Sequence, residues 1–464
     1  MNLRARLMFR ARNSWTSGAR PRLQPASGAM SFRGSALGRL AAAGVAATAA
    51  LALTACGGSS SSSDRPANKI HVMVYGDAAN KVEKQIVATY NKNAKVKVVL
   101  DTIPGANYQQ KLQTIINTKQ APDVFFNWGG GSIQPYVKAG LLLPLDDMIK
   151  QDPKLKSSFL PSVFNTAVID GKSYGVPMRG TQPVMLFNNA KVLKAAGITP
   201  PTTWDELLTD VGKLKAKGIT PIALGGADQW PTLMWFEYLY DRVAGPDLFQ
   251  KALSGDKEAW ASDDSKKALS MLQQLIGTGA FGKSYDSVKF TDGGSPALLA
   301  KGKAAFELMG SWYYSTQQDA SPAFAKTDLA YTTFPTISGG KGAPADLVGN
   351  TNNFYSVLKN TRYPDAARDF LKLMYSDEFV KASLAIGNLP TTTNTEPFLD
   401  TSASPAYSKF QYNLVKQAPS FQLSWDQAYP PAAITPIHQA VQEFFNGSID
   451  ANGFIKAMQA LPAA

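Results

Sequence analysis

KIHVMVYGD (69–77), KVKVVL (95–100) and PDVFFNWGGGSIQPYVKAG (122–140) are the segments on which the fold of this chain turns. In the first, Ile70, Val72 and Val74 alternate and Gly76-Asp77 ends the run, the pattern of a strand followed by a turn. Ala78 to Asn91 then repeats with helical period, placing Val82, Ile86, Val87 and Tyr90 on one face. KVKVVL reads as a second strand and NYQQKLQTIINTKQ (107–120) as a second helix with Leu112, Ile115 and Ile116 inward. PDVFFN is a short, wholly apolar third strand, and a helix opens after the glycines of WGGGS. Strands and helices alternating at this spacing predict a parallel sheet with right-handed crossovers. Ligands of such sheets lie beyond the carboxyl ends of the strands. Those ends carry Tyr75 and Asp77, then Asn107 and Tyr108, then Asn127, Trp128 and three glycines, Gly129 to Gly131. The glycines lack both the G-K-[ST] of a phosphate loop and the spacing of a dinucleotide fingerprint. They fit equally a close backbone approach to a ligand and a plain tight turn.

The alternation continues to the end of the chain. PPTTWDELL (200–208) opens a helix with Thr203 and Glu206 at capping-box spacing, which makes Trp204 structural. Ser265 to Ile276 is helical, and ALLAKGKAAFELMG (297–310) passes from helix to strand. DLAYTTFP (328–335) and NNFYSVLK (352–359) read as strands, 363–385 as a helical pair, and 437–461 as two amphipathic helices around Asn446-Gly447.

Upstream of the first strand the composition changes. Eight arginines and no acidic residue precede Leu40–Leu53, an uncharged run of 14 residues, and then LTAC (53–56) and GGSSSSSDRPAN (57–68). A basic start, a short apolar stretch and small residues before a cut site make a secretory signal. The apolar run falls short of the ~20 residues a membrane-spanning helix needs. Leu53-Thr54-Ala55-Cys56 resembles the lipobox of bacterial lipoproteins, in which the cysteine is lipidated and becomes the mature N-terminus. Residues 1–55 are then a signal, starting at Met1 or at Met30, and 56–68 a lipidated Cys56 with a Gly/Ser tether. Loss of eight arginines takes the net charge from +12 to +4, which withdraws the support for nucleic-acid binding that the whole-chain value offers. About 400 residues remain, enough for two domains.

The chain has one cysteine and two histidines, His71 in a strand and His438 in a late helix whose surface it is expected to occupy. This excludes a zinc site of histidines or cysteines, and neither histidine lies in a nucleophile motif. No metal and no cofactor are expected. What stands out is tryptophan beside small polar groups: FFNWGGG (Trp128), GGADQWPTLMWFEY (Asp228, Gln229, Trp230), MGSWYYS (Trp312) and QLSWDQAYPP (Trp425, Asp426). An indole face stacks on the C–H face of a sugar ring while carboxylates and amides take its hydroxyls. A single tryptophan is usually packing; four in such loops point to a ligand.

Together the lipobox, 122–147, 171–207, LLAKGKAAFELMGSW (298–312) and YPDAARDFLKLMYSDEF (363–379) resemble the extracellular solute-binding lipoproteins of ABC transporters, in the class that includes maltose-binding protein. Within that class the chain is most similar to actinobacterial oligosaccharide binders. The resemblance implies an α/β fold of two lobes with the ligand cleft between them, type II of the periplasmic-binding-protein folds. Lobe 1 would hold 69–180 plus 332–376 and lobe 2 would hold 187–328 plus 380–464, with crossings near 181–186, 329–331 and 377–379. It further nominates Arg179 and Gln182 before LFNN, the Asp228-Gln229-Trp230 loop, Trp312 as a stacking platform, and Asn350 and Asn352 of GNTNN. The neutral NWGGG departs from the charged residues of maltose binders, although Asp77 fits. The implied function is a receptor, not an enzyme: a monomer held to the membrane through its lipid alone, delivering an oligosaccharide to ABC permease subunits. An anchored glycoside hydrolase and a receptor for a peptide or polyamine are the alternatives.

Overall fold

The computed structural model describes residues 67–291, 293–351 and 353–462. The signal, Cys56 and most of the tether lie outside the described residues, as does Asn352.

Two sheets organise the chain. Strands β1 (Lys69–Gly76), β2 (Lys97–Pro104), β3 (Val124–Asn127), β4 (Val176–Met178), β5 (Gln182–Asn189), β6 (Thr220–Ala223), β7 (Ala304–Gly310), β8 (Leu329–Thr332), β9 (Leu347–Asn350), β10 (Asn353–Val357) and β11 (Phe421–Leu423) build them. The first sheet has the order β2-β1-β3-β10-β4 and the second β11-β9-β5-β7-β6, with β8 beside β5. A separate two-stranded hairpin pairs Val168–Ile169 with Lys172–Ser173. As the alternation predicts, β1 runs parallel to both β2 and β3. Helix α1 (Asn80–Asn93) joins β1 to β2 and presents Val82, Ile86 and Val87 to the core, while α2 (Tyr108–Ile115) presents Leu112 and Ile115. Each sheet has its own apolar core, one around Val72, Val74, Phe125 and Phe126, the other around Leu186, Phe187, Leu207 and Trp235. Thr203 and Glu206 form the expected capping box of α3 (Trp204–Ala216), and Trp204 is buried at 3% exposure. No helix among the described residues is long and apolar enough to cross a membrane.

The crossings differ from expectation. β4 belongs to the first sheet and β5 to the second, so the first passage falls at 179–181 rather than 181–186. Residues 329–350 stay with the second sheet, because β8 and β9 both pair with one edge of β5; the chain returns to the first sheet only between Asn350 and Asn353. The third passage is later than 377–379. Phe379 and Ile386 still pack in the first core, and Leu389 then bridges to Thr181, whose N–H donates to the Leu389 carbonyl at 3.1 Å. Alternation of apolar residues identifies a strand but not its partner, which is why the pattern alone misassigns 332–350.

Three of the acids buried around the second core are held above the usual carboxyl range. Burial raises the carboxyl of Glu237 to about 8, with Asp426 adding to the rise and the Trp425 N–H and Ser424 hydroxyl opposing it. Burial likewise raises Glu307 to about 8, against hydrogen bonds from Ser295 and Tyr313, and Asp241 to about 7, against its Arg242 neighbour. These groups stay protonated in the folded chain at a pH where the unfolded chain has released its protons. Their contribution to stability is therefore complete below the ordinary carboxyl values of 3.8 to 4.5 and is lost as the pH rises toward 8. Each unit of such a shift corresponds to about 1.4 kcal/mol, so the three together should make unfolding progressively easier between pH 5.5 and pH 8.5. Calorimetric unfolding over this range should show a falling midpoint, and Glu307→Gln should flatten the slope. A midpoint that rises through the same range would contradict the assignment.

Candidate functional site

The site is built where the carboxyl ends of β1 and β3 meet loops of the second sheet. At the end of β1, Tyr75 is half-buried, stacked on Phe126 (centroids 5.1 Å apart, planes at 30°) and edge-on to Trp128 at 5.6 Å. Trp128 also stands perpendicular to Phe126 and Tyr108, so three rings fix its plane and leave it partly exposed. A small cavity beside it is lined from the first lobe by Gln109, Gln113 and Tyr136 and from the second by Pro431.

Behind Tyr75 lies an ion cluster. Arg179 is 3% exposed and uses its whole guanidinium: Nε donates to Glu83 Oε1 at 2.7 Å, and Nη1 to both Asp77 oxygens at 2.8 Å. Nη2 donates to the Tyr75 carbonyl at 2.6 Å and to Glu83 Oε2 at 3.2 Å. Burial works against its charge, yet Asp77 and Glu83 hold Arg179 above the usual guanidinium range. Burial pushes the Glu83 carboxyl up, and Arg179 opposes it. Glu83 carries no local motif, so only the tertiary contact with Arg179 reveals it.

The second lobe supplies Trp230 and Trp312, with centroids 6.1 Å apart and planes at 53°. Trp230 starts helix α4 (Trp230–Ala244) and meets Phe290 edge-on at 5.2 Å. Asp228 accepts the Phe290 N–H through Oδ2 at 2.6 Å, which ties the two loops together. Trp312 precedes helix α5 (Tyr313–Ala320), and its ring folds across Gly310, where a Cβ would lie 1.9 Å from it. Asp426 sits in the short helix α6 (Trp425–Ala428), with Oδ2 2.9 Å from His438 Nε2. His438 is thus a part-buried partner of Asp426 and not the surface residue that its helical position suggests. Burial, followed by Asp77, raises the Tyr75 hydroxyl; Arg179 opposes this, and Asp426 and Asp228 add to it from the other lobe. Tyr75 therefore senses carboxylates of both lobes.

Several nominated residues are elsewhere or otherwise engaged. Trp425 is fully buried among Phe236, Tyr240, Phe249 and Trp260, with Phe249 stacked on it at 5.0 Å, so it is a core ring and not a platform. Tyr108 is also fully buried, its hydroxyl 2.7 Å from the Phe126 carbonyl and 3.2 Å from that of Met73. Asn127 donates to Ser356 Oγ at 2.9 Å and accepts the Gly129 N–H, which holds the turn rather than a ligand. Arg179 has its donors committed as described. Gln182 and Asn350 are buried at the crossings and bond each other at 3.2 Å. Asn107 is exposed before α2, and Gln229 is half-buried at φ 65° ahead of Trp230. The glycines serve a close approach, but to the chain's own backbone: a Cβ on Gly131 would lie 2.2 Å from the Ala428 carbonyl. This seats the Trp128 turn against the helix of Asp426. The residues that share one region are thus Tyr75, Asp77, Trp128, Asp228 and Asp426, with Trp230, Trp312 and Phe290 grouped around Asp228. Among the described residues no cluster of three or more His, Cys, Asp or Glu suits a metal ion.

Residues 77–381 match the family described as bacterial extracellular solute-binding protein. The chain is 26% identical over 351 residues to an uncharacterized ABC transporter extracellular-binding protein of Pyrococcus horikoshii, covering 73% of this chain and 74% of that one. It is 27% identical over 342 residues to the diacetylchitobiose binding protein of Streptomyces coelicolor, covering 71% and 76%. Among solved structures, one from work on xylan utilization by the thermophilic bacterium Caldanaerobius polysaccharolyticus superposes with a TM-score of 0.77 at 27% identity, over 84% of this chain and 99% of that one. A chitin oligosaccharide binding protein superposes with a TM-score of 0.75 at 26% identity, over 84% and 97%.

Proposed function

The chain belongs to the bacterial extracellular solute-binding proteins, and from that membership we propose that it is a receptor that takes up an oligosaccharide outside the cell and hands it to the permease subunits of an ABC importer. The observation that supports the sugar reading is that partly exposed indoles and carboxylates occur together on both lobes: Trp128 and Asp77 on the first, and Trp230, Trp312, Asp228 and Asp426 on the second. Rings cover the apolar faces of a pyranose, and the acids accept from its hydroxyls. Relatives named for diacetylchitobiose and for chitin oligosaccharide support the same class. Closure of two hinged lobes would expel water, strengthen these hydrogen bonds, and present the permease with a loaded form distinct from the empty one. Cys56 would carry the lipid anchor, with the 56–68 tether leaving the body free to reach the permease as a monomer.

Calorimetric titration with xylo-, cello-, chito- and malto-oligosaccharides tests this directly. Saturable binding of at least one series, with the sugar recovered intact, is the expected result. Cleaved products would favour the anchored hydrolase, and heat from a peptide alone would favour a peptide receptor.

A further inference from the structure

The charge of the cleft narrows the class of sugar, an inference that rests on the sugar-receptor reading. Arg179 lies behind Tyr75 and has nothing left to offer a ligand: it is 3% exposed and every nitrogen already donates to Glu83, Asp77 or the Tyr75 carbonyl. Lys81, in the first turn of α1, is paired with Asp319 of the second lobe at 2.6 Å. Lys289 beside Phe290 is exposed, where solvent screens it. Against these stand carboxylates from both lobes. Asp77 is balanced by Arg179, but among the described residues Asp228 has only a backbone N–H on one oxygen, and Asp426 has only His438. Even a protonated His438 offsets one of the two. The field around the Tyr75 hydroxyl is therefore negative, and closing the lobes lowers the dielectric in which it acts.

We propose that this cleft selects sugars by charge, admitting uncharged and amine-bearing oligosaccharides and rejecting those that carry a carboxylate. The attraction for hydroxyls and the repulsion of uronates come from the same two groups, Asp228 and Asp426. Among the described residues, a carboxylate brought beside them would meet no buried guanidinium or ammonium free to pair with it, only the solvent-screened Lys289, and would lose its water.

The test is a titration of the full mature chain with three matched ligands: a neutral oligosaccharide that binds, its counterpart bearing one uronate, and a glucosamine oligomer. The uronate is expected to bind at least tenfold more weakly than the neutral sugar, and the amine at least as well as its N-acetylated form. In Asp228→Asn and Asp426→Asn the ratio of neutral to uronate affinity should shrink several-fold, whatever happens to the absolute affinity, since the amides keep the shape and lose the charge. A uronate within twofold of the neutral sugar, or a ratio unmoved in both variants, overturns the charge selection alone. If no neutral oligosaccharide of the xylo, cello, chito or malto series binds, the sugar-receptor reading and this inference fall together.

Discussion

Replacing Arg179 with methionine is expected to lower the unfolding free energy by roughly 3–5 kcal/mol, the usual cost of removing one partner of a buried ion pair. The size follows from what remains. Glu83 is 1% exposed and would lose the Arg179 charge and both guanidinium bonds that oppose its burial, keeping the longer bonds from Asn80 Nδ2 at 3.2 Å and the Tyr355 hydroxyl at 3.4 Å. Asp77, with about a third of its side chain exposed, recovers water and contributes less. Arg179 also occupies φ 37°, a backbone region that a non-glycine side chain holds only when its surroundings demand it, so the network maintains the turn into the first crossing as well as the charge. Denaturant unfolding of the variant would show the loss. Adding Glu83→Gln to Arg179→Met should recover part of it, because the stranded acid is gone. A loss below about 1 kcal/mol would mean that the cluster is solvated enough to count as a surface pair.

The second large effect separates two tryptophans that look alike in the sequence. Trp312→Ala and Trp230→Ala are each expected to weaken oligosaccharide binding by roughly 2 kcal/mol or more, about thirtyfold, as central aromatic contacts do. Their rings are partly exposed and pack against each other, so folding should survive. Trp425→Ala should do the reverse. Its ring is enclosed by four aromatic neighbours, and truncating such a core side chain costs about 3–5 kcal/mol of stability. Tryptophan-fluorescence or calorimetric titration beside thermal unfolding reads both quantities. Full affinity in both Trp312→Ala and Trp230→Ala would remove those rings from the site.

Why one tryptophan is a platform and another is core cannot be read locally. MGSWYYS and QLSWDQAYPP have the same appearance, a ring after a serine in a loop context. The difference lies in what arrives from far along the chain: Phe236 and Phe249 close over Trp425, whereas Trp312 rests on the edge of the core, folds over Gly310 and among the described residues has Trp230 as its one ring partner. Tyr108 misleads for the same reason, since the carbonyls that meet its hydroxyl belong to β1 and β3. Phe290, Glu83 and His438 had no signal at all, because each gains its place through a partner more than ten residues away.

By itself the sequence determined the α/β class, the parallel β1-β2-β3 unit, the capping box at Thr203 and Glu206, and the strand ends at which Tyr75, Asp77 and Trp128 stand. These rest on periodicity and on short-range hydrogen bonds, whose partners lie within a few residues. Tertiary structure alone decided that 329–350 belongs to the second sheet, that Arg179 is spent on Glu83 and Asp77, that the glycine turn meets Ala428, and that Asp228 and Asp426 act on Tyr75 across the lobes. Strand partnership and charge pairing are contacts between distant segments, and their energies depend on burial that no local pattern encodes.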